Sequence, residues 1–162
     1  MHREGHYGMA LLVYAPVAAI MLALGYARLT LLGGAVVVGG AMIPDLDQRV
    51  PGIAHRGPTH TVWFALAVGI GAGTIGGLLG WQRGPLAALG TGLFGVFVGT
   101  LTVGAHLLAD VLTPTGIRPF APVRDDRYTF DIAKAANPIA NYALLAAGVV
   151  ASGAALVVGA WI

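Results

Sequence analysis

The chain has 162 residues, of which 57% are hydrophobic and only 10% charged, with a mean hydropathy of +0.79. That is too apolar for a soluble domain of this length and marks a polytopic membrane protein. No cysteine is present, which excludes disulfides and thiolate metal sites, and the nine basic residues are scattered singly, which argues against nucleic acid as a partner despite a formal charge of +2.

Residues 1–7 form a short polar lead-in. An apolar run from about Gly8 to Ala27 follows, long enough to cross ~30 Å of hydrocarbon as a helix, with a kink expected at Pro16. Its arginine-then-apolar pattern also resembles a secretory signal, a reading disfavoured by the length of the run and the spans that follow. The second run, Leu29 to Ile43, rises only about 22 Å as a helix. It ends at Pro44-Asp45-Leu46-Asp47, so either the bilayer thins there or those carboxylates sit somewhat below the membrane surface.

The third run, about Thr61 to Trp81, follows the block His55-Arg56-Gly57-Pro58-Thr59-His60, with Gly57-Pro58 as the expected helix start. The fourth, Pro85 to about Leu112, carries His106 and Asp110 in its last turns. Residues 113–137 are the one long polar loop, with charges interleaved among Phe120, Tyr128 and Phe130. An interfacial lid with a hairpin turn at Asp125-Asp126 is expected there. Asn137-Pro138 opens a fifth run that ends at Ile162. The expected fold is therefore all-α, a polytopic membrane helical bundle of about five transmembrane helices in a single domain, 1–162.

Five spans have a parity consequence. If the N-terminus lies on side one, then His6, Asp45, Asp47, His55, His60, His106, Asp110 and Asn137 all fall on side one, although they come from separate segments. Side one also holds Arg3, Arg49, Arg56, Arg118, Arg124, Arg127 and Lys134, against Arg28 and Arg83 on side two. The positive-inside rule makes side one cytoplasmic in an inner membrane. Gly69, Gly73 and Gly77 in the third run, and Gly95 with Gly99 in the fourth, allow close helix approach, within the chain or in a homodimer.

Polar groups of this kind are costly beside a bilayer unless something pairs with them, and the expected partner is a metal ion. His106 and Asp110 are four apart on one helical face, and both can serve one ion. His55 and His60 are about 140° apart on an ideal helix, so His55 is expected in the loop and His60 in the first helical turn. Asp45 and Asp47 point the same way if that segment is extended. His6 completes a histidine-rich shell, His2 is expected to fray, and Asn137 is either a helix cap or a supporting amide.

The candidate metal ligands are thus His6, Asp45, Asp47, His55, His60, His106 and Asp110. A closed structural zinc site needs four, so seven suit one or two ions plus a catalytic base. Nitrogen and oxygen donors favour zinc, with manganese or iron as alternatives. Asp47 or Asp110 is the expected proton acceptor, Arg56 the group for a substrate phosphate or carboxylate, and Thr59 and Asn137 further substrate contacts.

His6, Pro44-Asp45-Leu46-Asp47, the block His55 to His60, and Gly104-Ala105-His106-Leu107-Leu108-Ala109-Asp110 followed by Leu112-Thr113-Pro114-Thr115-Gly116 resemble the bacterial and archaeal membrane-bound metal-dependent hydrolases. Some members are described as LexA-binding, inner-membrane-associated hydrolases. The similarity spans nearly the whole chain in order and spacing, and implies a small helical membrane protein with a divalent-metal hydrolase site. Thr61 stands where that family's block reads serine, which keeps the hydroxyl. The LexA association is not carried over, since nothing here looks like a docking surface for it. The motif order is also distantly similar to helical zinc phospholipases C, an analogy of fold and phosphoester chemistry alone.

The leading expectation is a metal-dependent hydrolase acting on a phosphoester or other ester of a membrane lipid, or another interfacial substrate, at the cytoplasmic face. The alternatives are a metal-binding transporter and a structural or scaffold protein working through residues 113–137. A transporter is expected to carry polar groups at mid-membrane or on both faces, whereas the middle of every run is nearly free of ionisable residues. No His-Glu-x-x-His, Gly-x-Ser-x-Gly or P-loop pattern is present.

Overall fold

A computed structural model of the chain, describing residues 1–161, contains five long helices: α1 (Arg3–Ala23), α2 (Ala27–Gly39), α3 (Val62–Trp81), α4 (Pro85–Val111) and α5 (Pro138–Trp161). Five segments are long and apolar enough to cross a membrane, the second of them taken as Ala27–Arg49. Among the described residues there is no strand, only an isolated antiparallel bridge between Ile117 and Tyr128. The protein is a multi-pass helical membrane bundle.

The helices form two close pairs, α1 with α5 and α3 with α4, and α2 packs on α1 and α4. Missing side chains make the pairs close. A methyl group on Gly8 would meet the Leu144–Leu145 backbone at 2.5 Å or less, and one on Gly99 would lie 2.9 Å from Gly69 Cα. In α3 the seam uses Gly69 and Gly73 as expected, then drifts to Gly76 and Gly80, while Gly77 has ordinary room. The drift follows from about 3.6 residues per turn rather than four. This seam is spent inside the chain, between α3 and α4.

Large apolar side chains such as Leu79, Leu86 and Ile139 point outward, as lipid contact requires, whereas the largest fully buried side chains among the described residues are His6, His60 and His106. Three imidazoles at the heart of the bundle's polar end are the feature around which the rest is arranged.

Several boundaries differ from the sequence expectation. α1 begins at Arg3 rather than near Gly8, which puts His6 in its first turns, and it runs unbroken through Pro16. α2 ends at Gly39, and the chain then tightens into a 3₁₀ turn, Pro44–Arg49, so the aspartates are not extended. Gly57-Pro58 opens a second short 3₁₀ turn, Pro58–His60, and α3 starts only at Val62, capped by Thr61 Oγ1 accepting from Phe64 N–H at 3.2 Å. His60 therefore precedes the helix rather than lying in it.

The polar loop closes the end of α4. The N–H groups of Phe130 and Ile132 donate to the carbonyls of Val111 (2.7 Å) and Leu112 (2.9 Å), which the helix itself leaves free. The loop folds back at the Ile117–Tyr128 bridge, and Asp125 and Asp126 pair with Arg118 and Arg124 across a wider excursion. A tight turn at Asp125-Asp126 is thus replaced by ten intervening residues (118–127), the carboxylates serving as ion-pair partners.

Candidate metal centre

Four elements deliver side chains to one end of the bundle: α1 gives His6, the 3₁₀ turn Asp45 and Asp47, the following segment His55 to His60, and the last turns of α4 His106 and Asp110. The side-one residues His6, Asp45, His60, His106 and Asp110 do meet. Three overlapping triads each keep their donor atoms within 4.8 Å: His6, Asp45 and His106; Asp45, His55 and His60; His60, His106 and Asp110.

The tightest set is built on two imidazoles. His60 Nε2 and His106 Nε2 are 3.2 Å apart. Asp45 Oδ1 lies 3.4 Å from the first and 3.5 Å from the second, and Asp110 Oδ2 lies 3.5 and 3.6 Å from them. Metal–nitrogen and metal–oxygen bonds of ~2.0–2.1 Å give a tetrahedron edges of about 3.3–3.4 Å. These five separations are therefore the spacing of ligands around one small cation.

Partners on the far side of each ring assign the tautomers. His106 Nδ1 is 2.7 Å from the Ala41 carbonyl oxygen, which can only accept, so Nδ1 carries the proton. His60 Nδ1 faces Thr59 Oγ1 at 3.0 Å and Asp47 Oδ2 at 3.3 Å, and the Thr59 hydroxyl donates to that same carboxylate at 2.7 Å. His60 Nδ1 is thus the donor as well. In the neutral rings both Nε2 lone pairs then point at each other, with two carboxylate oxygens beside them. Four nitrogen and oxygen atoms thus converge in a buried pocket, a donor set that could hold a cation.

His6 is 1% exposed and stacks flat on His106, with ring centroids 3.8 Å apart and planes within 1°. Neither ring nitrogen has a hydrogen-bond partner among the described residues. Its Nε2 faces Asp110 Oδ1 at 3.7 Å and Asp45 Oδ2 at 4.0 Å. Each carboxylate therefore turns one oxygen toward the His60–His106 pair and the other toward His6. Asp110 Oδ1 already receives Arg56 Nη2 at 2.9 Å and the Met1 α-amino group at 2.6 Å, so of the two donor clusters the one on the His60–His106 side has the freer carboxylate oxygens.

Asp47 has a different part from the ligand role expected of it. Residues two apart on a 3₁₀ turn are about 240° apart, so it does not share the direction of Asp45. Its Oδ1 lies 3.1 Å from His55 Nδ1, while Oδ2 accepts from Thr59 Oγ1 and from the Arg56 N–H at 3.3 Å and faces His60 Nδ1. It orients both histidines from behind. Thr59, expected at substrate, serves Asp47.

Arg56, expected to hold a substrate anion, is turned inward as well. Besides Asp110, it donates through Nη1 to Thr113 Oγ1 (3.1 Å) and to the Gly116 carbonyl (2.9 Å). Its backbone sits at φ 61°, a left-handed conformation costing a non-glycine residue on the order of 1–2 kcal/mol, which these bonds offset. His55 stays at the rim with its side chain 44% exposed, 3.9 Å from Asp45 Oδ1.

Asn137 is exposed, and its Oδ1 accepts from Ala140 N–H at 3.2 Å, so the cap reading holds and no contact joins it to the site. The buried amide is Asn141, which accepts from His2 N–H at 2.9 Å and donates to the carbonyls of Ala135 and Asn137. It ties down the segment expected to fray. A lone carboxamide inside the fifth apolar run was its only sequence signal.

No curated protein and no solved structure shows a match to this chain. The family model described as YdjM inner membrane protein matches residues 1–162, its full length. With five apolar helices and that match along the whole sequence, the chain belongs to the YdjM inner membrane protein family.

Proposed function

We propose that this protein is a divalent-metal-dependent hydrolase, with zinc the first candidate and manganese or iron the alternatives, acting on a phosphoester or ester bond of a membrane lipid or another interfacial substrate. One observation carries the reading: His60 and His106 direct their Nε2 atoms at one point beside Asp45 and Asp110, with His6 unpartnered next to them. A proton shared by the two nitrogens would satisfy that pair but leave His6 without a partner.

His60, His106, Asp45 and Asp110 would hold a divalent ion there, which would lower the pKa of a water to about 7 and so supply a nucleophile at neutral pH. Hydrolysis adds the hydroxyl to phosphorus or to the acyl carbon, breaks the ester bond, and returns a proton to the departing alcohol. Asp47 contributes through His55: it holds Nδ1 of the half-exposed imidazole and leaves the other nitrogen free to move protons between the site and water. Arg56 fixes Asp110, and Thr59 fixes Asp47. The sequence roles of catalytic Asp47 and Asp110 are kept in this form, as proton path and ligand.

An apolar groove of about 790 Å³ supports a lipid substrate. It runs along α4 from Leu93 and Phe97 to Phe120, Tyr128 and Phe130 of the loop. Seven of the nine basic residues share the site's side, which the positive-inside rule assigns to the cytoplasm.

The test is elemental analysis of the purified protein, followed by lipid hydrolysis with and without chelator. Activity that depends on metal and is lost in His106→Ala and Asp110→Ala supports the proposal; activity that persists in both defeats it. Metal flux into proteoliposomes without hydrolysis would favour the transporter instead.

A further inference from the structure

A water-using site needs an opening, and only one of the inner donors reaches one. Asp45 keeps 14% of its side chain exposed, against 0–2% for His6, His60, His106 and Asp110. It lies on the wall of a cleft of about 670 Å³ between the start of α1 and the Pro44–Arg49 turn, shared with His2, Arg3, Glu4, Gln48 and Arg49. The two arginines come from different elements, as the first residue of α1 and the last of the turn. Both are exposed, and among the described residues neither has a carboxylate within 4.0 Å, whereas Arg56, Arg118 and Arg124 all do.

Building on the hydrolase reading, we propose that this cleft is the anion port of the site, and that Arg3 and Arg49 clamp the phosphate of a phosphoester while its ester bond faces Asp45. Arginine forks match phosphate oxygens in pairs. A carboxylate is satisfied by one fork, whereas two guanidinium groups supplied to one cleft by separate elements suit a group with three free oxygens. The start of α1, to which His2 supplies no side-chain cap, lines the same cleft. Glu4 and Asp45 oppose an anion, but two arginines and a divalent ion exceed them. The port therefore requires the metal as well as the arginines, which separates it from arginines that merely rest on lipid headgroups.

The experiment uses the full chain in phosphatidylcholine nanodiscs, with elemental analysis and calorimetric titration of inorganic phosphate on the parent, Arg3→Gln/Arg49→Gln, Arg3→Lys/Arg49→Lys, His106→Ala and the surface control Arg118→Gln. The double glutamine variant is expected to keep its metal and bind phosphate at least tenfold more weakly, with partial recovery in the lysine variant and no change in the control. Displacement of phosphate by phosphatidic acid placed in the disc identifies a lipid headgroup as the source; absence of displacement identifies a soluble phosphoester. Equal phosphate affinity in parent and double glutamine variant, or a metal-loaded parent that binds no phosphate, overturns the port. Arginine-dependent phosphate binding by a parent that holds no metal would instead sink the hydrolase reading while leaving an anion site in place.

Discussion

His60 Nε2 and His106 Nε2 face each other across 3.2 Å, and each ring keeps its proton on the opposite nitrogen, toward Thr59 and Asp47 in one case and the Ala41 carbonyl in the other. Two lone pairs held this close in a buried pocket repel unless a proton or a metal ion lies between them, and on the proposed reading it is the metal. The stability of the bundle should therefore be coupled to metal.

Free metal in excess is expected to raise the thermal midpoint of the parent and to leave His60→Ala and His106→Ala unmoved. Binding at a thousand times Kd contributes about 4 kcal/mol to stability. Differential scanning fluorimetry in detergent, with chelator as the reference state, reads this directly.

His6 gives a sign reversal. Its two ring nitrogens are buried without partners, which costs roughly 1–3 kcal/mol in the metal-free protein. His6→Phe should therefore stabilise the chelated protein by about 1 kcal/mol while retaining the ion held by His60 and His106. A variant that is destabilised with metal absent would show that His6 has a hydrogen-bonding role in the fold itself.

Asp47→Asn keeps the shape behind His55 and His60 but removes the charge that orients them. Loss of such a supporting carboxylate weakens metal affinity by about 10–100-fold rather than abolishing it. Competition against a chromophoric chelator distinguishes this from Asp110→Ala, for which retention near the parent level would contradict the ligand assignment.

The α3–α4 seam predicts a pair of opposite outcomes. A methyl group on Gly95 would run into the Ala72 carbonyl, so Gly95→Ala should cost about 1–3 kcal/mol. Gly71 meets nothing within 4 Å, and Gly71→Ala should be neutral or stabilise by up to about 1 kcal/mol through helix propensity. Unfolding in mixed micelles compares the two.

Much of this architecture is legible in the sequence because bilayer thickness sets the length of an apolar run. The third, fourth and fifth spans match their expected limits closely for that reason. Parity alone carries His6 and Asp45 to the same end as His60, His106 and Asp110. What periodicity does not contain is direction within the short turns. Asp47 departs from Asp45 because Pro44 starts a 3₁₀ turn instead of an extended segment, and Arg56 turns inward through a left-handed backbone. Thr59 follows Asp47. Helix-start chemistry marks Asn137 as a cap, whereas nothing local marks Asn141, the amide one turn on that holds the N-terminal segment.

The most direct measurement is the metal content of protein purified without added metal and freed of adventitious ions by brief exchange, compared between the parent and His106→Ala. A parent that carries at least one divalent ion per chain, with little or none in the variant, is the expected result for a primary position built on His60 and His106. Equal content in the two, or a parent that takes up no divalent ion even when one is supplied, would contradict it.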